Sequence, residues 1–248
     1  MKINQYLDAT YLKTALQAGI SEQENLQKVL QLAEEAISYG YKLVMIRSKY
    51  IPKLKATLTA ANAKVLIGTV IDFPEGDASI EQKLQEAKKA INLGADELDF
   101  VINYKAFKKG NIDLVAKEVI ACTSLCLAHD KIAKFIIEVA ALSNEEIIVI
   151  SQLLKQVVLE EFGEENVKNV FVKSSTGFFK TEANAPNGAT LEKMILIAKN
   201  AKPLKIKAAG GVRDYETALK MISLGVDRIG TSSSKEIINK EQHLNQSY

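Results

Sequence analysis

Short apolar runs alternate along the whole chain with longer segments in which apolar residues recur every three or four positions. The short runs are residues 4–10 (NQYLDAT), 42–47 (KLVMIR), 64–71 (KVLIGTVI), 96–102 (DELDFVI), 134–140 (KFIIEVA), 170–175 (VFVKSS), 205–211 (KIKAAGG) and 227–233 (DRIGTSS). Their length, their β-branched content and the polar residues that bound them predict strands. The stretches between, such as 24–40 and 144–163, carry a helical period, and several end at a glycine suited to a helix C-cap: Gly40, Gly94, Gly163 and Gly225. Strand then helix, eight times over, predicts an α/β fold closed into a parallel (β/α)8 TIM barrel. A doubly wound open sheet is the alternative, but no G-x-G-x-x-G follows the first strand, and the one double glycine, Gly210-Gly211, follows the seventh. No Pro- or Ser-rich linker divides the chain. Residues 1–248 therefore read as a single domain, with a short polar tail from about residue 240 that is expected to be mobile.

Composition narrows the function more than the fold. With 47% hydrophobic residues and only 4 prolines in 248, disorder and collagen are excluded. The net charge is +2, and lysine-rich segments such as 81–94 (EQKLQEAKKAINLG) read as solvated helix faces without the interleaved aromatics that nucleic-acid binding needs. A small-molecule partner is expected. The N-terminal MKINQYLDATYLK has no apolar signal core, and no window approaches 18 apolar residues, so the expectation is a cytoplasmic protein that neither is secreted nor spans a membrane. Cys122 and Cys126, one helical turn apart, have the wrong spacing for a disulfide and lack further ligands nearby, the histidines being His129 and His243. They read as packing residues.

In a (β/α)8 barrel the chemistry sits at the C-terminal ends of the strands. Five ionisable residues fall there, Asp8, Asp99, Glu138, Lys173 and Lys207, and inward-pointing members of such a set converge on one axis. Lys173 interrupts the apolar VFV of residues 170–172. Two ammoniums in a confined, partly desolvated site disfavour each other's charge, and a neutral amine is what attack on a carbonyl requires. The glycines at 210–211 and the segment Gly230-Thr231-Ser232-Ser233 follow the last two strands, where backbone N–H groups of such barrels commonly bind phosphate. These residues leave open a Schiff-base enzyme, a phosphosugar isomerase working by acid–base catalysis, and a non-catalytic barrel that binds a phosphorylated ligand.

The segments LDATYLK (7–13), GADELDFVIN (94–103), KFIIE (134–138), VKSSTGF (172–178), KAAGGVRDYETALKMISLG (207–225) and RIGTSSS (228–234) resemble, in the same order, those of the deoxyribose-phosphate aldolases. The resemblance implies a class I aldolase, without metal or other cofactor, that reversibly cleaves 2-deoxy-D-ribose 5-phosphate to acetaldehyde and D-glyceraldehyde 3-phosphate, and that is often a homodimer. It implies that Lys173 forms the Schiff base, that Lys207 holds it neutral and that Asp99 relays protons. It further implies that Asp8 and Thr10 lie near the sugar, that Gly177, Gly210, Gly211, Ser232 and Ser233 hold the phosphate, and that a terminal Tyr248 folds over the site to aid proton transfer. Two departures stand out. Where the family often has a cysteine on the second strand this chain has Met45, followed by Arg47 and Ser48, which predicts better tolerance of acetaldehyde; and residues 178–190 form a longer stretch after the Thr-Gly than in many relatives.

Overall fold

The computed structural model describes residues 2–182 and 185–240. Eight parallel strands close on themselves: β1 (Leu7–Tyr11), β2 (Leu43–Ile46), β3 (Leu66–Ile71), β4 (Glu97–Val101), β5 (Ile132–Ile136), β6 (Val170–Lys173), β7 (Lys205–Ala209) and β8 (Arg228–Thr231). Each pairs with the next, and β8 pairs with β1. The barrel form is thus realised and the open sheet is not. All eight expected strands are present with shifted ends. Residues Ile3–Tyr6 form a 3-10 turn before β1, and β5 stops at Ile136, so that Glu138 lies beyond its strand in a left-handed conformation (φ 55°, ψ 67°). Among the described residues no helix is long and apolar enough to cross a membrane.

The helices start where the sequence supplies a cap. Ser21, Ser79 and Ser143 each accept a backbone N–H three residues on, and the side chain at that position bonds back, satisfying donors that the first turn leaves free. Gly40 and Gly94 end their helices in the left-handed conformation. Gly163 does not adopt it (φ 74°, ψ 171°), and Gly225 lies one residue past the cap Leu224.

Strand side chains alternate between two environments, and that alternation positions the site. Outward residues such as Val44, Ile46, Val170 and Val172 join the helices in the main core, as do Cys122 and Cys126, both buried and unpaired on the helix Ile112–Leu127. Inward residues split into two sectors. On β2 and β3, Leu43, Met45 and Val70 form a separate apolar cluster with Leu12, against which Leu66, Phe73 and Phe178 pack. The remaining strands turn charged groups inward. Lys83 departs from the expected solvated helix face: it is buried, whereas Lys88 and Lys89 of the same segment are exposed.

Candidate active site

Asp8 of β1, Glu97 and Asp99 of β4, Lys134 of β5, Lys173 of β6, Lys207 of β7 and Arg228 of β8 meet inside the barrel, all buried. Strand register explains the meeting, since Asp99 is paired with Lys134, Lys173 with Lys207, and Lys207 with Arg228. Asp99 is the hub. Its Oδ2 accepts from Lys173 Nζ at 2.8 Å and from Lys207 Nζ at 2.8 Å, and its Oδ1 accepts from Lys134 Nζ at 2.9 Å. Asp8 lies deeper, 2.6 Å from Lys207 Nζ and 2.6 Å from Arg228 Nε. Glu97 joins Lys134 at 2.5 Å to Arg228 at 3.0 Å.

Four cations face three carboxylates in this cluster, so one positive charge is surplus. The residue that yields is Lys173. Burial disfavours its ammonium, Asp99 opposes the effect, and Lys207 and Lys134 add to it, leaving the amine at about 8. Lys134 goes the other way, because Asp99, Glu97 and Asp8 outweigh its burial and raise it. For Asp99 the burial penalty is overcome by Lys134, Lys173 and Lys207, which hold the carboxyl well below its usual range. Burial likewise pushes Asp8 up, but Arg228, Lys207 and Lys134 bring it down to about 2. The arrangement yields one amine that can be neutral near physiological pH beside a carboxylate that stays ionised.

Lys173 is 3% exposed, and that small window opens into a cavity of ≈ 390 Å³ at the C-terminal ends of the strands. Thr10, Gly177, Gly210, Gly211 and Ser232 also line it, as do Lys13, Thr176, Phe178 and Arg213. Residues of the loops after β6, β7 and β8 thus line the cavity beside the amine, together with the cations Lys13 and Arg213. Close approach is required there: a Cβ on Gly188 would lie 2.3 Å from the carbonyl oxygen of Gly210, so that only glycine lets the segment after β6 lie against the loop after β7.

A family model described as DeoC/LacD family aldolase matches residues 5–232. The chain belongs to the DeoC/LacD family of aldolases. It is 38% identical over 241 residues to a deoxyribose-phosphate aldolase from Thermococcus gammatolerans, covering 96% of both chains. A deoxyribose-phosphate aldolase from Dictyoglomus turgidum is 39% identical over 227 residues, with 91% of this chain and 93% of the relative covered. Among solved structures, a deoxyribose phosphate aldolase from Aeropyrum pernix, described as having a unique tetrameric structure, superposes with a TM-score of 0.76 at 26% identity, covering 96% of this chain and 89% of the other.

Of the site residues expected from sequence, the structure brings Lys173, Lys207 and Asp99 into direct contact and places Thr10, Gly177, Gly210, Gly211 and Ser232 around one cavity. Asp8 does not line that cavity; it sits beneath it and holds Lys207 and Arg228. Ser233 is buried at the start of the helix Ser234–Ile238, and Tyr248 and the tail lie outside the described residues. Glu138, beyond its strand, accepts from the backbone N–H and the hydroxyl of Thr176, so it holds the segment that follows Lys173 in this aldolase. Sequence reasoning missed Glu97, Lys134 and Arg228. The signal was available for Glu97: in ELD it lies two residues before Asp99 and therefore on the same face of the strand. Lys134 and Arg228 escaped because each lies near the start of the apolar run that marks its strand, and only register sets them level with Asp99 and Lys207 of the neighbouring strands.

Proposed function

We propose that this family member is a deoxyribose-phosphate aldolase that works through a Schiff base on Lys173. The observation that carries the reading is a buried amine, brought down to about 8, at the floor of a cavity whose rim is formed by the glycine loops after β7 and β8. Lys173 Nζ in its neutral form adds to the substrate aldehyde carbon. Asp99, 2.8 Å from both Lys173 and Lys207, moves protons through water as the carbinolamine loses its hydroxyl to give the iminium. The hydroxyl on the third sugar carbon gives its proton, through water, to Asp99, the bond between the second and third carbons breaks, and the electron pair of that bond passes into the iminium. D-Glyceraldehyde 3-phosphate leaves. Protonation of the resulting enamine and hydrolysis then release acetaldehyde and free Lys173. A phosphate held by Gly177, Gly210, Gly211, Ser232 and Ser233, as the family resemblance implies, orients the sugar from a part that does not react.

Borohydride added with deoxyribose 5-phosphate is expected to leave a reduced adduct on Lys173, found by peptide mass, and none in K173A. Full cleavage activity in K173A would overturn the mechanism. Deleting Tyr248 tests the proposed proton transfer at the acetaldehyde carbon: unchanged turnover and unchanged solvent proton exchange would reject it. The family resemblance supports a cytoplasmic homodimer. Light scattering is expected to give the mass of two chains, and four would align the protein with the A. pernix structure instead.

A further inference from the structure

Arg47, the first residue past β2, is placed to act on the cavity without lining it. Its Nε donates to the carbonyl of Leu12 at 2.9 Å and its Nη1 to the carbonyl of Phe73 at 3.1 Å. Its guanidinium carbon also lies 4.9 Å from the centre of the Phe73 ring. A planar fork that bonds through two nitrogens while its charge lies over an aromatic ring fixes its partners in a way that a lysine cannot. Phe73 in turn meets Phe178 edge-on, ring centres 5.0 Å apart. Leu12 and Phe178 line the cavity that holds Lys173. One guanidinium thus ties together the segments after β1, β2 and β3 and, through Phe73, the segment after β6.

The wall held in this way is the apolar one. Leu12, Phe73 and Phe178 continue the inner cluster of Leu43, Met45 and Val70, with Met45 filling the barrel so fully that a Cβ on Gly68 would lie 2.5 Å from its terminal methyl. The charged groups and the glycine loops occupy the other strands. A reacting carbon on Lys173 therefore lies between a polar side that suits hydroxyls and phosphate and an apolar side that suits bare hydrocarbon. We propose that Arg47 is a positioning residue which, through Phe73 and Phe178, fixes the apolar wall that selects the smallest unsubstituted aldehyde as the partner carried on Lys173. The proposal rests on the Schiff-base reading of Lys173.

The test runs in the synthetic direction, with D-glyceraldehyde 3-phosphate as acceptor and acetaldehyde or propanal as donor. One methylene in a tight apolar pocket is worth roughly 10- to 200-fold in discrimination. In R47M and in R47K the acetaldehyde-over-propanal ratio of kcat/KM is expected to fall by about fivefold or more. KM for D-glyceraldehyde 3-phosphate, bound at the opposite wall, should stay within about twofold. F178L, which leaves both Arg47 hydrogen bonds in place, is expected to lower the same ratio and provides the reading if the Arg47 variants fold poorly. A ratio unchanged in R47M and F178L, or an equal loss with both donors, would overturn the positioning role while borohydride trapping of the wild type on Lys173 still succeeds. Failure of that trapping would instead strike the Schiff-base reading itself, so the two failures are told apart.

Discussion

Two buried lysines of this molecule differ in how their surroundings supply hydrogen-bond acceptors, and the difference bears on which of them can serve as the proposed nucleophile. Lys83, on the helix Ile80–Leu93, donates to the carbonyls of Gly76 at 3.0 Å and Val101 at 2.7 Å, pairs with Glu118, and lies 3.3 Å from Asp72. All three of its protons have acceptors, and it ties the loop after β3 and the end of β4 to the helix that carries Glu118. Lys173 has one hydrogen-bond partner among the described residues, Asp99 Oδ2, and shares that oxygen with Lys207. Burial is common to both. The difference lies in supply: an ammonium given enough acceptors is held in place by them, whereas one given a shared oxygen and cationic neighbours is ready to lose its proton.

The sharpest way to break the contrast is to remove each lysine in turn. K173M is expected to lose at least about 10³-fold in kcat for deoxyribose 5-phosphate cleavage while its urea midpoint stays equal to or above that of the wild type, because a surplus charge has left the core. K83M is expected to do the reverse. It strands Glu118 and Asp72 without their cation, a loss of roughly 3–5 kcal/mol for a broken buried pair, measurable as a lower urea midpoint with unchanged slope. Activity per folded molecule should fall by less than about tenfold. If K83M were inactive yet fully stable, the saturated lysine would belong to the chemistry and the contrast would fail.

Sequence carried one side of this comparison and hid the other. Lys173 was legible because it breaks a strand that is otherwise apolar, and strands of period two leave few places for a charge to hide. Lys83 was not, because in EQKLQEAKKAINLG it is one of three lysines spaced as on a solvated helix, and only the fold of the β3 and β4 loops shows that this one turns inward. The same limit explains the missed half of the charged cluster. Periodicity places Lys134 and Arg228 in strands, but which strand residues share a level depends on register around a closed barrel, which no local pattern encodes. Arg47 was visible as a departure, yet the role proposed for it needed Phe73 and Phe178, residues distant in sequence that the barrel mouth brings together.

A smaller effect should appear in stability against pH. The amine of Lys173 lies at about 8 in the folded chain and at its ordinary 10.5 when unfolded. Between those values the unfolded chain keeps a proton that the folded chain has released, so the stability of the wild type rises with pH there. Below about 8 both states are protonated and the cost of the buried charge is fully felt. K173M lacks this slope, so its advantage over the wild type is expected to shrink, by at most about 3 kcal/mol, as urea unfolding is repeated from pH 8 to pH 10.5. A constant gap would mean that Lys173 keeps its proton across this range.

The finest test changes the neighbours and leaves the amine. Lys207 carries a charge that disfavours a second ammonium beside it, and Asp99 carries one that favours it. The rate of adduct formation on Lys173 depends on the free amine, so it should fall as pH drops through about 8 in the wild type. In K207M the repelling charge is gone, Lys173 holds its proton more firmly, and the midpoint should move up by about one pH unit. In D99N the attracting charge is gone, and the midpoint should move down by a similar amount, even though loss of the proposed proton relay is expected to lower the rate overall. Opposite shifts can come only from electrostatic control of the amine by these two residues. Shifts of the same sign would assign the lowered value to desolvation alone, leaving Lys207 and Asp99 to act on the substrate and not on the lysine.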